Sequence, residues 1–100
     1  MNSLIIVLPY LEKLTVKSLT AAFTLKNKQY LTSFRLVDPQ PGMANISITN
    51  CALDAEALNQ LFEDLPKVSS TRTITVKGNP GAETCDTSIA TAKNWTVVYV

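Results

Sequence analysis

The spacing of apolar pairs is the feature that most constrains the fold of this chain. Pairs of apolar residues separated by one residue recur along it and fall into two interleaved series. The first series opens at Phe23, Ile46, Ile74 and Trp95, and the second opens at Leu14 and Phe34. Within each series, the intervals match the periods of about 20–29 residues that are typical of repeats adding one short strand each to a common face. We therefore predict that the second series lies on the opposite face in the early turns.

The first half of the chain permits another interpretation. Residues 11–48 also fit an antiparallel hairpin or meander, with turns at 26–28 and 38–42. When the two series are merged, successive apolar pairs follow one another too closely for the full crossover connections that neighbouring parallel strands need. Degenerate repeats and a hairpin therefore both stay open for residues 1–42.

A helix is predicted over residues 54–65. Apolar residues at positions i, i+3, i+4 and i+7 share one side of such a helix, and polar residues fill the other; they are Leu58, Leu61, Phe62 and Leu65. Asp54 is a suitable N-cap, and Pro66 stops the helix. Because strands are predicted on both sides of it, the helix completes a β-α-β unit, whose connection is right-handed and whose strands are parallel. The expected parallel sheet comprises residues 46–48, 74–76 and 95–97, with the helix on its outside.

A second, shorter helix is predicted over Thr87–Lys93, with Asp86 or Thr87 as its cap. Asn94 then stands where a left-handed residue commonly follows a helix, and asparagine tolerates that conformation. Residues 95–100 are predicted to form the last strand. An edge strand of this kind is a weak indication of pairing with a second copy, so the oligomeric state stays open.

Two segments resemble the leucine-rich repeat pattern LxLxxN/CxL. They are Ile46–Leu53, with Cys51 at the Asn/Cys position, and Ile74–Gly81, with Asn79 there. Over residues 43–100 the chain is similar, more narrowly, to the C-terminal repeats of BspA-like bacterial surface leucine-rich repeat proteins. In that family the buried Asn or Cys satisfies backbone groups of stacked turns. Residues 1–42 match only as loose LxxLxL fragments.

The resemblance implies an α/β fold, a short right-handed leucine-rich-repeat-like coil with a mainly parallel sheet and helices on the convex side. Residues 1–100 are then a single domain, and the interpretation as a fragment of a longer protein stays open. The resemblance also implies a secreted or cell-surface location and a non-enzymatic module that binds other macromolecules. No signal peptide is recognised at the N-terminus of this chain.

The separation of Cys51 and Cys85 matches neither a CxxC motif nor a metal-ligand spacing. The residues alone leave open whether they are bridged or are two buried free thiols. The extracellular setting that the resemblance implies favours a Cys51–Cys85 disulfide. A catalytic role for either thiol is disfavoured, because neither has a candidate base.

Composition excludes several function classes. The chain has no histidine, which removes Ser-His-Asp and Cys-His catalysis and His-containing zinc sites. Its net charge is +1 without a basic stripe, so we expect no nucleic-acid partner. No apolar run approaches the roughly 18 residues of a transmembrane helix. We therefore expect no enzymatic activity, no cofactor, no metal site and no membrane span.

The candidate binding residues project outward between the apolar residues of the predicted strands. They are Thr24, Lys26, Ser47, Thr49, Thr75, Lys77 and Thr96, with Val98 beside the last of them. Short hydroxyls and two lysines suit an unidentified protein or glycan partner. Threonine is also a common solvent-facing strand residue, so a purely structural role stays open. The alternative function is a structural C-terminal capping unit that has no ligand and contacts preceding repeats of a longer chain.

Overall fold

A computed structural model describes residues 12–19, 22–39 and 45–99 of the chain. Six strands lie in these ranges: β1 (Lys13–Lys17), β2 (Phe23–Lys26), β3 (Ser33–Val37), β4 (Ile46–Thr49), β5 (Arg72–Thr75) and β6 (Trp95–Val98). Two helices accompany them: α1 (Ala55–Asp64) and α2 (Ser88–Thr91). The apolar residues Leu4–Leu8 and Met43, and the last residue, Val100, lie outside the described residues.

The strands form two sheets, and every described strand pair is parallel. β1 pairs with β3, while the second sheet has the order β2-β4-β5-β6. The first four strands thus alternate between the two sheets along the chain. The predicted α/β class with parallel strands is confirmed. The hairpin interpretation of residues 11–48 is wrong for the described strands, because β1 pairs with β3 and β2 with β4, and both pairs are parallel.

The strand registers agree with the two apolar series except at the last strand. Phe23 lies opposite Ile46, which lies opposite Ile74, and Leu14 lies opposite Phe34. At β6, however, Val97 rather than Trp95 lies opposite Ile74. The Trp95 indole Nε1 donates a hydrogen bond to the Pro66 carbonyl at 2.9 Å. This bond ties the ring to the connection between α1 and β5, in which Pro66 lies. Trp95 therefore enters the sheet two residues earlier than the spacing predicts.

The core lies between the two sheets and continues beneath α1. Inward-facing residues of the described strands are buried or half-buried, whereas their sequence neighbours are more exposed. Phe23 of β2 and Phe34 of β3 stack with ring centroids 5.6 Å apart, which joins the two sheets directly. α1 packs against β3 and α2. It therefore covers the side of the molecule on which β1 and β3 lie.

Helix α1 has the N-cap and the buried apolar side that its sequence pattern predicts. The Asp54 carboxylate accepts a hydrogen bond from the Ala57 N–H at 2.8 Å and is the predicted N-cap. All four predicted apolar residues are buried. The last turn carries no basic residue of its own. Instead, the Lys93 ammonium donates to the carbonyls of Phe62 and Leu65, at 3.2 and 2.9 Å, and so caps the C-terminus of α1 from the following turn.

Helix α2 is shorter than predicted. It begins at Ser88 and ends at Thr91, and Thr87 makes no side-chain capping bond. The Asp86 carboxylate accepts from the Ser88 N–H at 3.1 Å and takes the capping role. The helix stops because the following N–H groups bond three residues back, and Asn94 has φ 69°, which confirms its left-handed conformation.

Within the described ranges, neither helix is long and apolar enough to cross a bilayer.

Asp64 links the end of α1 to the outer edge of β3. Its Oδ2 accepts from Arg35 Nε at 2.7 Å and from the Leu36 N–H at 3.1 Å, and its Oδ1 accepts from Arg35 Nη2 at 3.1 Å. Partial burial raises the pKa of this carboxyl, but the hydrogen bonds from Arg35 and Leu36 outweigh that effect and leave the pKa below its usual value. The ionised carboxylate therefore stabilises the folded state.

We expect Asp64→Asn to reduce the dependence of the free energy of unfolding on pH at acidic pH. A lowered folded pKa adds stability above the unfolded pKa of about 3.9, and that stability is lost as pH falls through the folded value. At pH 7 the substitution should lower the free energy of unfolding by about 1 kcal/mol, because the Leu36 N–H and Arg35 lose a charged acceptor that solvent partly screens. Urea unfolding between pH 2 and pH 7 measures this.

The matched control is Glu63→Gln, which removes the neighbouring, exposed carboxylate of α1. It should leave the pH dependence of the free energy of unfolding at acidic pH unchanged. Parallel stability profiles for Asp64→Asn and the unmodified chain would contradict the assignment.

Candidate functional site

The outward side of the four-stranded sheet is a polar surface built by strand alternation. We call it the outer sheet face; it comprises Thr24, Lys26, Ser47, Thr49, Thr73, Thr75, Lys77, Thr96 and Val98. The alternating inward residues, such as Phe23 and Ile48, are 4% and 0% exposed. Because the inward residues fix each strand, the side chains of the outer sheet face are held in a set register.

A row of three hydroxyls crosses this face. Thr24 lies opposite Ser47, and Ser47 lies opposite Thr75. Neighbouring strands are about 4.8 Å apart, so the row places one hydroxyl per strand at that interval. Val98 ends the row beside Thr75 and is 37% exposed. The predicted alignment of Thr24, Ser47 and Thr75 is present in the structure.

A second row carries the two lysines. Lys26 lies opposite Thr49. The Asn50 N–H donates to the Lys77 carbonyl at 3.1 Å, which continues the parallel register beyond β5 and places Lys77 on the other side of Thr49. Lys26 and Lys77 therefore flank Thr49 with two strand spacings, about 10 Å, between their backbones. Both are exposed.

Thr96 occupies a different place from the one that the spacing predicts. It lies opposite Thr73, not Thr75, because β6 is shifted by two residues. The apolar pattern starts β5 at Ile74 and so misses Thr73, although the alternation extends back through it. The Asn45 side-chain oxygen accepts from the Thr73 N–H at 3.0 Å and ties β5 to the start of β4. Thr73 and Thr96 thus form a third, shorter hydroxyl row.

Left-handed residues end the strands at a common edge of this face. Asn27 and Asn50 directly follow β2 and β4, with φ of 61° and 54°, and Gly78 follows β5 with φ of 82°. The Asn50 Nδ2 donates to the Asn27 Oδ1 at 3.3 Å, so successive turns are linked side chain to side chain. Ser18 and Asp38 end β1 and β3 in the same conformation. The segment 26–28 is therefore a corner and not a hairpin turn.

Asn79 is buried just beyond this edge and is 6% exposed. Its Nδ2 donates to the Ile48 and Val76 carbonyls at 2.9 and 2.8 Å, and its Oδ1 accepts from the Leu53 N–H at 3.2 Å. One amide thus satisfies backbone groups of two successive turns. At the equivalent position, the thiol of buried Cys51 bonds the Thr49 carbonyl at 3.3 Å.

Both cysteines are free thiols in the structure, so the Cys51–Cys85 bridge is not formed there. The Cys85 thiol donates to the Ala82 carbonyl at 3.3 Å. Burial raises the pKa of both thiols. A raised pKa lowers the thiolate fraction at neutral pH, which disfavours nucleophilic chemistry at either position.

The described residues also line two clefts outside the outer sheet face. One, of about 310 Å³, lies between β3 and α1 and is lined by residues that include Arg35 and Gln60. The other, of about 530 Å³, lies beyond Gly78 and is lined by residues that include Glu83 and Tyr99. Among the described residues, no cluster of three or more Cys, Asp and Glu side chains is suited to hold a metal ion.

Comparison with known proteins gives no relative: no family model, curated protein or solved structure matches the chain.

Proposed function

We propose that this chain is a non-enzymatic macromolecule-binding module of a bacterial secreted or surface protein. In this proposal it is a short, right-handed leucine-rich-repeat-like coil whose outer sheet face binds a protein or glycan partner. The observation that carries the proposal is the in-register row of Thr24, Ser47 and Thr75 across three parallel strands.

Three features support the coil. The chain alternates between the two sheets through β1, β2, β3 and β4, as a winding chain does. α1 then packs against β3, so a helix takes the place of the next strand on that side. Asn79 bonds the backbone of two successive turns from the position that leucine-rich repeats reserve for Asn or Cys.

The binding role is supported by the rigidity of the outer sheet face. Its residues stand on strands whose inward neighbours are packed, so little conformational entropy is lost when a ligand orders them. β-branched threonines have few rotamers, which reduces that loss further. Hydroxyls that both donate and accept suit partners rich in backbone amides or sugar hydroxyls.

The test is an array of defined polysaccharides and purified extracellular proteins, probed with the labelled full chain. The double variant S47Q/T75Q places two longer amides across the hydroxyl row. We expect at least one arrayed molecule to bind the unmodified chain and to bind S47Q/T75Q about tenfold more weakly, since central contacts dominate interface energies.

The matched control is T15Q/S69Q, which makes the same two chemical changes at exposed positions away from the outer sheet face. It should bind like the unmodified chain. If the two double variants bind equally, or if no arrayed molecule is bound, the outer sheet face is not the binding surface.

A structural capping unit with no ligand is the second candidate, and the burial of Trp95 favours it. β6 has a described partner on one side only, yet Trp95 is 1% exposed. A strand that closes the core in this way suits the last turn of a repeat stack. If preceding repeats gain no thermal stability when this chain follows them, the capping role is excluded.

A further inference from the structure

The charges of this chain are nearly balanced in number but segregated in space. It carries nine basic and eight acidic residues. All the acidic residues fall within the described ranges, and none lies on a strand; they are Glu12, Asp38, Asp54, Glu56, Glu63, Asp64, Glu83 and Asp86. Four of them lie between residues 54 and 64, on α1 and its cap. The outer sheet face therefore carries cations without carboxylates.

Lys26 and Lys77 are the cations of that face, and neither ammonium group forms an ion pair or hydrogen bond with a described residue. Other basic side chains are engaged within the fold: Arg35 binds Asp64, and Lys93 caps α1. Two exposed lysines whose backbones lie about 10 Å apart, with no carboxylate among the described residues of the same face, create a local positive potential. An anionic partner is complementary to this surface.

The hydroxyl rows favour an anionic partner that carries hydroxyl groups as well as negative charges. A partner that runs along the rows meets a lysine, a threonine and a second lysine in one row, and three hydroxyls in the next. A polyuronate, which is a polysaccharide of carboxylated sugars, offers a carboxylate and several hydroxyls on every monomer. An acidic peptide supplies the carboxylates, but its backbone amides alternate in direction and match the hydroxyl rows less completely.

None of the nine residues of the outer sheet face is aromatic, and the exposed ring of Tyr99 lines the cleft beyond Gly78 instead. Phe23 and Trp95, the largest residues of the four-stranded sheet, point into the core and are 4% and 1% exposed. Neutral sugars are commonly held by stacking on exposed aromatic rings, and the described part of this face offers none. Charge and hydroxyl hydrogen bonds therefore remain as its means of recognition.

Resting on the proposed binding function, we propose that the outer sheet face binds an acidic polysaccharide of the polyuronate class. Lys26 and Lys77 pair with its carboxylates. The hydroxyl row of Thr24, Ser47 and Thr75 bonds its sugar hydroxyls.

The experiment titrates the full chain with alginate oligomers and follows binding by calorimetry at about 20 mM and 300 mM NaCl. Binding should weaken at the higher salt concentration, because screening acts strongly on exposed charges. The charge-reversal variant K26E/K77E should bind at least about tenfold more weakly at low salt, since each substitution replaces an attraction with a repulsion.

The control K13E/K67E changes the net charge by the same amount at two exposed lysines off the outer sheet face. Because it alters only the distant field, it should bind within about threefold of the unmodified chain. Equal losses in the two double variants would overturn the proposal, as would alginate binding that neither variant affects.

Two further probes separate the alternatives. Dextran, which is uncharged, should not bind. Poly-L-glutamate should bind more weakly than alginate, and tighter binding of this polypeptide would overturn the polysaccharide class in favour of an acidic protein. If alginate fails to bind while an arrayed molecule binds in a manner sensitive to S47Q/T75Q, the inference fails and the proposed function stands. If no such molecule exists either, both fail.

Discussion

Asn79→Ala is expected to lower the free energy of unfolding by about 3–5 kcal/mol. The substitution leaves one N–H and two carbonyls of the buried backbone without a partner, those of Leu53, Ile48 and Val76. Each buried group left unsatisfied costs about 1–3 kcal/mol. Because a domain of this size is stable by roughly 5–15 kcal/mol, the midpoint of thermal unfolding should fall by about 15 °C or more. Calorimetry and urea unfolding measure both quantities.

Asn59→Ala is the matched control. Asn59 makes one hydrogen bond, from the Asp86 N–H to its side-chain oxygen, and lies on a partly exposed side of α1. It should cost no more than about 1.5 kcal/mol. If the two alanine variants are equally stable, Asn79 does not hold the turns together.

Asn79→Asp tests the same contact through pH. A carboxylate keeps the acceptor for Leu53 but faces the Ile48 and Val76 carbonyls without a proton, so its folded pKa is raised. A carboxyl whose pKa is higher in the folded than in the unfolded state stabilises the fold at a pH below its unfolded-state pKa. That stabilisation is lost as the pH rises through its folded-state pKa. Relative to the unmodified chain, Asn79→Asp should therefore be more stable at pH 4 than at pH 7. The opposite trend would exclude the assigned orientation of the amide.

Gly81→Ala is expected to cost at least about 3 kcal/mol, because overpacking alone typically costs about 1–3 kcal/mol and a hydrogen bond is lost as well. A Cβ at this position would lie 2.6 Å from the Ala55 Cα and closer still to the Ala55 nitrogen and the Asp54 carbonyl carbon. These atoms are backbone at the start of α1, so the loop must move away from the helix. That movement also breaks the hydrogen bond from the Gly81 N–H to the Leu53 carbonyl, now 3.0 Å.

Gly78→Asn separates this steric effect from the general cost of replacing glycine. Gly78 has φ of 82°, a conformation that asparagine adopts more readily than other residues, and Asn27 and Asn50 already occupy the equivalent corners. Its Cβ would displace the exposed Asn50 side chain and lie 3.0 Å from the Asn50 backbone nitrogen, a tight contact but not an overlap with a helix backbone. We expect a loss of about 1–2 kcal/mol. Circular dichroism and urea unfolding of both variants decide the comparison, and a milder effect at Gly81 would contradict the close approach.

The sequence predicted those structural features that depend on interactions between residues close together in the chain. The period of α1, its cap Asp54 and the left-handed Asn94 all follow from interactions within a few residues. The alignment of Phe23 with Ile46 and of Leu14 with Phe34 was also predictable, because a repeat turns long-range pairing into a spacing along the chain. The outer hydroxyl row of Thr24, Ser47 and Thr75 follows from that same alignment.

The parts that were missed depend on contacts between turns. The shift of β6 accompanies the hydrogen bond between Trp95 and Pro66, which are distant in the chain and share no motif. Lys93 and Asp64 gave no signal because their partners are distant in sequence: Lys93 bonds backbone carbonyls of α1, and Asp64 bonds the Arg35 side chain and the Leu36 N–H of β3. The corner at Asn27 looks like a hairpin turn in the sequence, since both use residues that tolerate positive φ.

The Asp64 carboxylate that receives the Leu36 N–H has a consequence for self-association. An uncovered strand edge is a template on which chains of the same sequence can assemble into aggregates. At β3, the Leu36 N–H points away from β1 and already donates to the Asp64 carboxylate. An incoming strand would have to displace this charged acceptor. Acidification neutralises that acceptor. The same protonation that lowers stability thus also weakens the contact by which Asp64 at the end of α1 blocks this edge of β3.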